Sequence, residues 1–546
     1  MDERKIMRKR CFILASILFS QISIGFIALG TSRTFLRPRS AIEDVSLYLA
    51  LNNYNIYGTF YNPNCAHDEK AQTIFIAAGI FGQQSTNGEQ LGEYFLPNNK
   101  SSISIKEDGS GDVGSLWLEL IAADSNLYSS TFTLRPERTI VGAYFNYHQN
   151  FCYDQRLWLD LKLATYEAMH KLKAQETVIV GPGIVPGVSN ALDYLSSDEF
   201  NYGKISNCTS KVFGFDDIEI KLGYEFFTCN NAQLSLYASG LIPTANKFQS
   251  HEKQLFGAVV GRGHGALGVG SNTGINFWDC GHSSLTLMAD FSYQYLFKRN
   301  EERSFDLANN GDWSRYLKVI SNNTPPLEDM EIYMMRIEPT PNTMTNTRPA
   351  INYSTQSVGV TPGSIINLWA ALHYQHCNWH VECGYNLWWK QSEKISFDQA
   401  ASDPGVGIFN LNNTPPAQTY TYSTTLQTPG TASTANISQS RTLNGTSPYG
   451  PGFNGAGPND VVTDMEEIPG TNGIMRPLFV PITLSNFNRE SATQPSCLTN
   501  KLYLACSYDV DNCRVPFNVG LGGSFEFAHR NAVQQWGLWG NIQVLF

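Results

Sequence analysis

The chain has 546 residues, of which 16% are charged and 12% are aromatic, and its formal net charge is −10. Typical soluble domains are about 25% charged, so the composition disfavours a soluble enzyme of this length. The acidic balance also disfavours a nucleic-acid partner, and we expect none.

The N-terminus predicts export. Five basic residues between positions 4 and 10 precede an apolar run from Cys11 to Leu29, and Ala28-Leu29-Gly30 supplies small residues for cleavage before Thr31. This order predicts a secretory signal peptide at residues 1–30. A single uncleaved membrane anchor is the alternative. No later stretch has about 18 consecutive apolar residues, which argues against a helical membrane protein.

Residues 31–43 are predicted to form a periplasmic N-terminal segment or a plug, and they contain Arg33, Arg37 and Arg39. From residue 44 to residue 546, short segments alternate between apolar and polar residues. In Ile218–Phe226, for example, isoleucine, leucine, tyrosine and phenylalanine share one face, opposite charged residues and a glycine. Because side chains alternate between the two faces of a strand, such segments are predicted to be strands with one apolar face.

Sixteen strands are predicted, with 14 to 18 remaining possible. The approximate ranges are 44–51, 54–61, 71–79, 101–106, 113–122, 139–149, 156–165, 217–227, 232–242, 267–279, 285–298, 363–374, 381–391, 500–510, 515–527 and 533–546. Residues 128–136 fit no strand of this series.

Cysteines recur in short polar turns between these strands, namely Cys65, Cys152, Cys229, Cys280, Cys377 and Cys513. The other connections are long, near 166–216, 243–266, 299–362 and 392–499. Short turns at one end and long loops at the other are typical of outer-membrane barrels, whose short turns are periplasmic and whose long loops are extracellular. In an oxidising compartment these thiols could form disulfides or cross-links to other envelope proteins. Small free cysteines are the alternative.

The last segment, WGLWGNIQVLF, has an apolar face and ends the chain on an aromatic residue. It resembles the C-terminal strand of Gram-negative outer-membrane β-barrels, which the barrel assembly machinery recognises. The resemblance implies an assembly signal made of Trp536, Leu538, Ile542, Val544 and Phe546. The cysteine content also loosely resembles the cysteine-rich major outer-membrane proteins of chlamydiae, without a matching motif. We therefore expect an all-β, transmembrane antiparallel β-barrel of about 16 strands in the bacterial outer membrane.

Two patterns match ligand sites by spacing alone. Gly263–Gly268 has the spacing of a dinucleotide-binding loop but lacks the strand–turn–helix context. A possible zinc cluster lies on a predicted strand–turn–strand, which would send alternate ligands to opposite faces: His373, His376, Cys377, His380 and Cys383. We therefore predict no metal, no cofactor and no enzymatic activity.

The function predicted first is a porin-like channel for passive diffusion of small polar solutes. Strand parity predicts a charged pore lining of Asp160, Lys162, Asp217, Glu219, Lys221, Glu225, Glu382 and Lys390. One alternative resembles fatty-acid-transporter barrels, which carry hydrophobic solutes and have an N-terminal hatch. The other is a surface adhesin or structural envelope protein that acts through its long loops. The expected partners are the lipid bilayer and the assembly machinery, and resemblance to porins suggests a trimer.

Overall fold

The computed structural model describes most of the chain from residue 31 onward. The described residues are 31–48, 74–118, 120, 127–151, 156–181, 188–229, 232–245, 254–321, 348–397, 401–408, 437–438, 465–467, 475–477, 482–510, 515–528 and 531–545. The predicted signal peptide and the predicted strand 54–61 lie outside these residues.

Twelve long antiparallel strands close into a barrel. Each strand pairs with the next along the chain, and the last pairs with the first, where Phe75 faces Leu545. The strands are β1 Ile74–Ser85, β2 Glu137–Phe151, β3 Leu157–Lys171, β4 Ile218–Cys229, β5 Ala232–Ile242, β6 Ala266–Asp279, β7 Ser283–Leu296, β8 Gly363–His376, β9 Trp379–Lys390, β10 Cys497–Val510, β11 Phe517–Ala528 and β12 Gln535–Leu545.

The barrel has an apolar outside and a largely polar inside. Outward residues are large, apolar and exposed, as at Ile80, Leu222, Leu504 and Leu538. Inward residues include many buried polar and charged side chains. This alternation is that of a transmembrane barrel, whose apolar band faces lipid. Among the described residues, no helix has the length and apolarity needed to cross a bilayer.

The connections differ strongly between the two ends of the barrel. At one end, strands are joined by turns of two to six residues between β2 and β3, β4 and β5, β6 and β7, β8 and β9, and β10 and β11. At the other end, residues 86–136, 172–217, 243–265, 297–362 and 391–496 are long connections, and the six residues 529–534 join β11 to β12. We call the described residues of these five connections the cap. In outer-membrane barrels, the short-turn end is periplasmic.

The cap has a hydrophobic core of its own, with fully buried residues such as Phe95, Phe132, Trp313 and Ile351. Its helices are α2 Gly88–Phe95, α3 Ala191–Leu195 and α4 Ile351–Ser354. Its two largest described sheets contain four strands, Ser102–Lys106, Val113–Gly114, Ser129–Thr133 and Gln175–Val180, and three strands, Arg299–Ser304, Thr355–Thr361 and Lys394–Ser396. One further strand, Ser210–Phe215, pairs with the cap end of β3.

The prediction of 16 strands is wrong, because the ring of strands closes with 12. Eleven predicted strands correspond to β2–β12, and 71–79 corresponds to β1. Residues 44–51 include the end of a helix, α1 Ile42–Tyr48, while 101–106 and 113–122 contribute to the cap. Ile103 and Ile105 alternate as barrel residues would, but they are buried in the cap core. Period-two alternation cannot distinguish a lipid-facing strand from a strand on a soluble core.

Candidate functional site: the lumen

Residues 31–48 lie inside the barrel and the cap, and we call them the plug. The backbone N–H of Arg33 donates to Tyr94 in the cap, 3.0 Å away, and Leu36 joins the cap core. Further along, Asn541 of β12 donates to the Tyr48 carbonyl at 2.8 Å. The plug therefore descends from the cap into the lumen, where α1 packs against β3 and β12.

Four buried charged side chains join the plug to the barrel wall. Arg39 lies 3.3 Å from Asp44 and 3.5 Å from Glu526 of β11. Lys501 of β10 lies 2.6 Å from Asp44 and 3.3 Å from Glu526. Two cations thus alternate with two carboxylates, and no side chain in the set is more than 4% exposed. Removing one partner would leave a buried charge without compensation, which is strongly unfavourable.

A second charged cluster joins the plug to the cap. Arg37 lies 2.9 Å from Glu301, which is also 2.7 Å from Arg303. Arg303 lies 3.3 Å from Glu393, and Glu393 lies 3.0 Å from Lys390 of β9. These contacts connect the plug, the β7–β8 connection and the β9–β10 connection through buried ion pairs.

Two adjacent carboxylates lie at the rim just before β4 begins, and the first of them holds the plug. Asp216 accepts hydrogen bonds from the Ser40 hydroxyl at 2.5 Å and from the backbone N–H of Ile42 at 2.9 Å. Asp217 accepts from the backbone N–H of Arg262 at 2.8 Å, in the β5–β6 connection. Burial, and then the neighbouring Asp217 carboxylate, raises the pKa of Asp216 to about 7. The strength of the hydrogen bonds that Asp216 accepts from Ser40 and Ile42 therefore depends on pH.

The end of α1 meets an aromatic part of the wall. The Tyr48 ring lies between three rings, with centroids 5.5 Å from Phe81, 5.4 Å from Tyr144 and 5.0 Å from Trp539. Its hydroxyl accepts a hydrogen bond from the Gln83 amide at 2.7 Å. The plug thus contacts the wall through apolar as well as charged groups.

No protein-family model matches the chain, and no curated protein matches it. Among solved structures, an outer-membrane channel from Pseudomonas putida F1 aligns with 88% of this chain and 98% of its own, at 8% identity and a TM-score of 0.33. The Pseudomonas putida toluene transporter TodX aligns over 89% and 92%, at 8% identity and a TM-score of 0.30. The transport unit of the autotransporter AIDA-I from Escherichia coli aligns over 93% and 99%, at 8% identity and a TM-score of 0.27.

The chain is an outer-membrane-type β-barrel. This assignment rests on the closed ring of strands and on their apolar outer face. It does not rest on the solved structures, because TM-scores this low leave large differences in shape. What the barrel does must therefore be argued from its own lumen.

The residues predicted to line a pore lie at several places on the barrel wall. Asp160, Lys162, Glu219 and Lys221 form one buried cluster in which Lys162 lies 3.3 Å from Glu219 and 3.6 Å from Asp160. Lys162 also donates to the Ser46 hydroxyl of the plug at 2.6 Å. The cluster contains two acids and two lysines, so its charges balance.

The other four predicted residues are separated from that cluster and from one another. Asp217 lies at the rim and Lys390 in the charged cluster beneath the cap, both described above. Glu225 is half-buried towards the short-turn end of β4. Glu382 is buried on β9 and accepts a hydrogen bond from Tyr503. The structure does not bring these residues into one lining.

The residues of the possible zinc cluster are divided between the two faces of the hairpin. His373 and His380 are buried inside and lie 3.2 Å apart through ring nitrogens, whereas His376, Cys377 and Cys383 are exposed. Asp509 accepts from the other ring nitrogen of His380 at 2.7 Å. In the described part of the chain, no group of three or more histidine, cysteine or carboxylate side chains is arranged to hold a metal.

Four of the five predicted assembly residues belong to β12. Trp536, Leu538 and Ile542 are exposed on the outer face, Val544 is half-buried, and Phe546 lies outside the described residues. The cysteines at described short turns are Cys280 and Cys377, which are free and exposed, and Cys229 ends β4. Outside the described residues lie Cys65, Cys152 and Cys513.

Sequence reasoning missed the barrel partners of the plug. Glu526, Lys501, Gln83 and Trp539 each face inward from strands whose parity was readable, yet nothing in the sequence marks them as neighbours of residues 31–48. The one available signal was the cluster of arginines in residues 33–39, which suggested a plug without indicating its partners.

Proposed function

We propose that the protein is a gated channel of the bacterial outer membrane, closed at rest by its own residues 31–48. The single observation that carries this proposal is the seated plug, which is held by the buried ion pairs of Arg39, Asp44, Lys501 and Glu526. A diffusion pore that is always open has no use for a buried segment across its lumen. A hatch that moves aside does.

The solute is proposed to have an apolar surface, as in the alternative with an N-terminal hatch. The wall covered by the end of α1 is formed by the rings of Phe81, Tyr144 and Trp539, which would line the passage once the plug leaves. Binding sites for small molecules are mostly apolar with a few placed polar groups, and this wall has that composition. A porin for small polar solutes would instead be lined by charges facing open water.

Planar-bilayer conductance of the purified protein tests the gate. The full chain is expected to show rare openings, and a variant lacking residues 31–48 is expected to conduct continuously. A full chain with the same steady conductance as the deletion variant would support an open porin. Silence from a folded deletion variant would support a structural or adhesive role.

Uptake by proteoliposomes tests the solute. The full chain is expected to admit an apolar solute while remaining impermeable to a small sugar. Rapid sugar entry through the full chain, matching that through the deletion variant, would overturn the choice of solute and leave the barrel assignment intact.

A further inference from the structure

The side chain of Tyr48 occupies a defined pocket in the barrel wall. Tyr48 is 2% exposed and is the last residue of α1. Three aromatic rings surround it at centroid distances of 5.0–5.5 Å, and a single amide donor meets its hydroxyl. These are the contacts that a site for one small aromatic molecule would make.

The walls of this pocket are fixed by the barrel. Trp539 pairs directly with Gly522 across β11 and β12, and a Cβ at position 522 would lie 2.3 Å from the indole. Tyr144 pairs in the same way with Gly79, where a Cβ would lie 2.6 Å from the phenol ring. Each ring therefore lies flat over a glycine of the neighbouring strand. The pocket would keep its shape after the plug moved.

The polar end of the pocket belongs to both the plug and the barrel. The Gln83 amide of β1 donates to the Tyr48 hydroxyl at 2.7 Å and to Asp44 at 2.7 Å. If a ring without a hydroxyl replaced Tyr48, the donor would lose one of its two acceptors. An unpaired buried donor is costly, so the site should discriminate in favour of a hydroxyl.

We propose that Tyr48 is a built-in ligand and that the pocket it fills binds free phenols, single aromatic rings that carry a hydroxyl. A phenol entering the lumen competes with Tyr48 for the three rings and for Gln83. Displacement of Tyr48 releases the end of α1 and opens the channel. The inference rests on the proposed gate and names the class of solute that operates it.

The test uses p-cresol, which is the tyrosine side chain without its backbone, in planar-bilayer recordings of the full chain. We expect a saturable rise in open probability. Toluene, which lacks the hydroxyl, and cyclohexanol, which lacks the aromatic ring, should each need a concentration roughly tenfold higher, the factor that corresponds to one ordinary hydrogen bond or ring contact. Equal potency of the three compounds would overturn the assignment to phenols.

Two variants separate the parts of the site. Tyr48→Phe leaves the pocket filled but weakens the built-in ligand, so p-cresol and toluene should both act at lower concentrations with their ratio unchanged. Gln83→Leu removes the amide donor, so the preference for p-cresol over toluene should disappear. A preference that persists in Gln83→Leu would show that the hydroxyl is recognised elsewhere.

A control variant lacking residues 31–48 guards against general effects of phenols on the bilayer. It has no Tyr48 to displace, so p-cresol should not raise its conductance. If this variant conducts and the full chain does not respond to p-cresol, the inference fails while the gate stands. If the folded deletion variant is silent, the gate itself fails.

Discussion

Glu526→Gln is the most informative perturbation of the plug. The substitution keeps the shape of the side chain and removes one of two carboxylates from a buried set that also contains Arg39, Asp44 and Lys501. In the docked state it leaves Arg39 with the carboxylates of Asp44 and Glu43, each 3.3 Å away, and Lys501 with Asp44. Because Lys501 and Glu526 both belong to the barrel, the contact with Arg39 is the ion pair of Glu526 that is lost when the plug undocks.

The magnitude follows from the separation of Arg39 and Glu526, which is 3.5 Å. Coulomb's law with an effective dielectric constant of about 20 gives an attraction of about 5 kcal/mol at that distance. The amide oxygen that replaces the carboxylate still accepts a hydrogen bond, and Arg39 keeps Asp44. We therefore expect docking to weaken by about 3 kcal/mol, which is a factor of about 150 in the docking equilibrium.

Single-channel recording measures this factor directly, as the ratio of open to closed time. Glu225→Gln is the matched control, because it makes the same chemical change six residues beyond Glu219, about 20 Å further towards the short-turn end. A double-mutant cycle completes the test: in an Arg39→Met background, Glu526→Gln should add little. A ratio for Glu526→Gln equal to that of the wild type, in protein that is folded by gel mobility, would refute the electrostatic account of the gate.

Three further predictions concern other described features. Gly522→Ala should lower the unfolding temperature in a gel-mobility assay by the equivalent of about 1–3 kcal/mol, because the new Cβ would clash with Trp539. Gly240→Ala is the control: its Cβ has room, so the unfolding temperature should not change, and equal shifts in the two variants would contradict the clash. Ser40 and Ile42 of the plug donate hydrogen bonds that favour the ionised form of Asp216, so the plug should be held more strongly as the pH rises through about 7, and open probability should fall. A pH dependence that survives in Asp216→Asn would assign it to another group. Cys377→Gly should raise the unfolding temperature by the equivalent of about 1 kcal/mol, because φ at Cys377 is 51°; a lower temperature would show that the thiol contributes contacts.

The sequence was informative about the barrel wherever one face of a strand meets lipid. In β4 and β9, apolar residues alternate with charged ones, and lipid on one side with a polar lumen on the other enforces that pattern. The alternation of apolar and polar residues was misleading where a protein core, rather than lipid, covers the apolar face. Val45 and Leu47 alternate like strand residues, yet together with Ile42 and Tyr48 they form the buried surface of α1. Nothing local distinguishes the two possibilities over so few residues.

The lumen was harder to predict than the wall. Parity oriented Asp160, Lys162, Glu219 and Lys221 correctly as inward-facing side chains, but it could not show that they neutralise one another. The contact between Arg39 and Glu526 joins residues that are 487 positions apart. Such a pairing depends on the number of strands and on the closure of the ring, and an error of four strands removes any basis for predicting it.

The position of α1 at the junction of the first and last strands has a consequence for biogenesis. Tyr48 contacts Phe81 and Gln83 on β1 and also Trp539 and Asn541 on β12. β1 and β12 are the two strands that must find each other last, when the ends of the sheet join. A helix that contacts both strands can hold β1 and β12 near each other while the hydrogen bonds between them form. We therefore expect residues 31–48 to assist ring closure, so that their loss slows assembly as well as opening the finished channel.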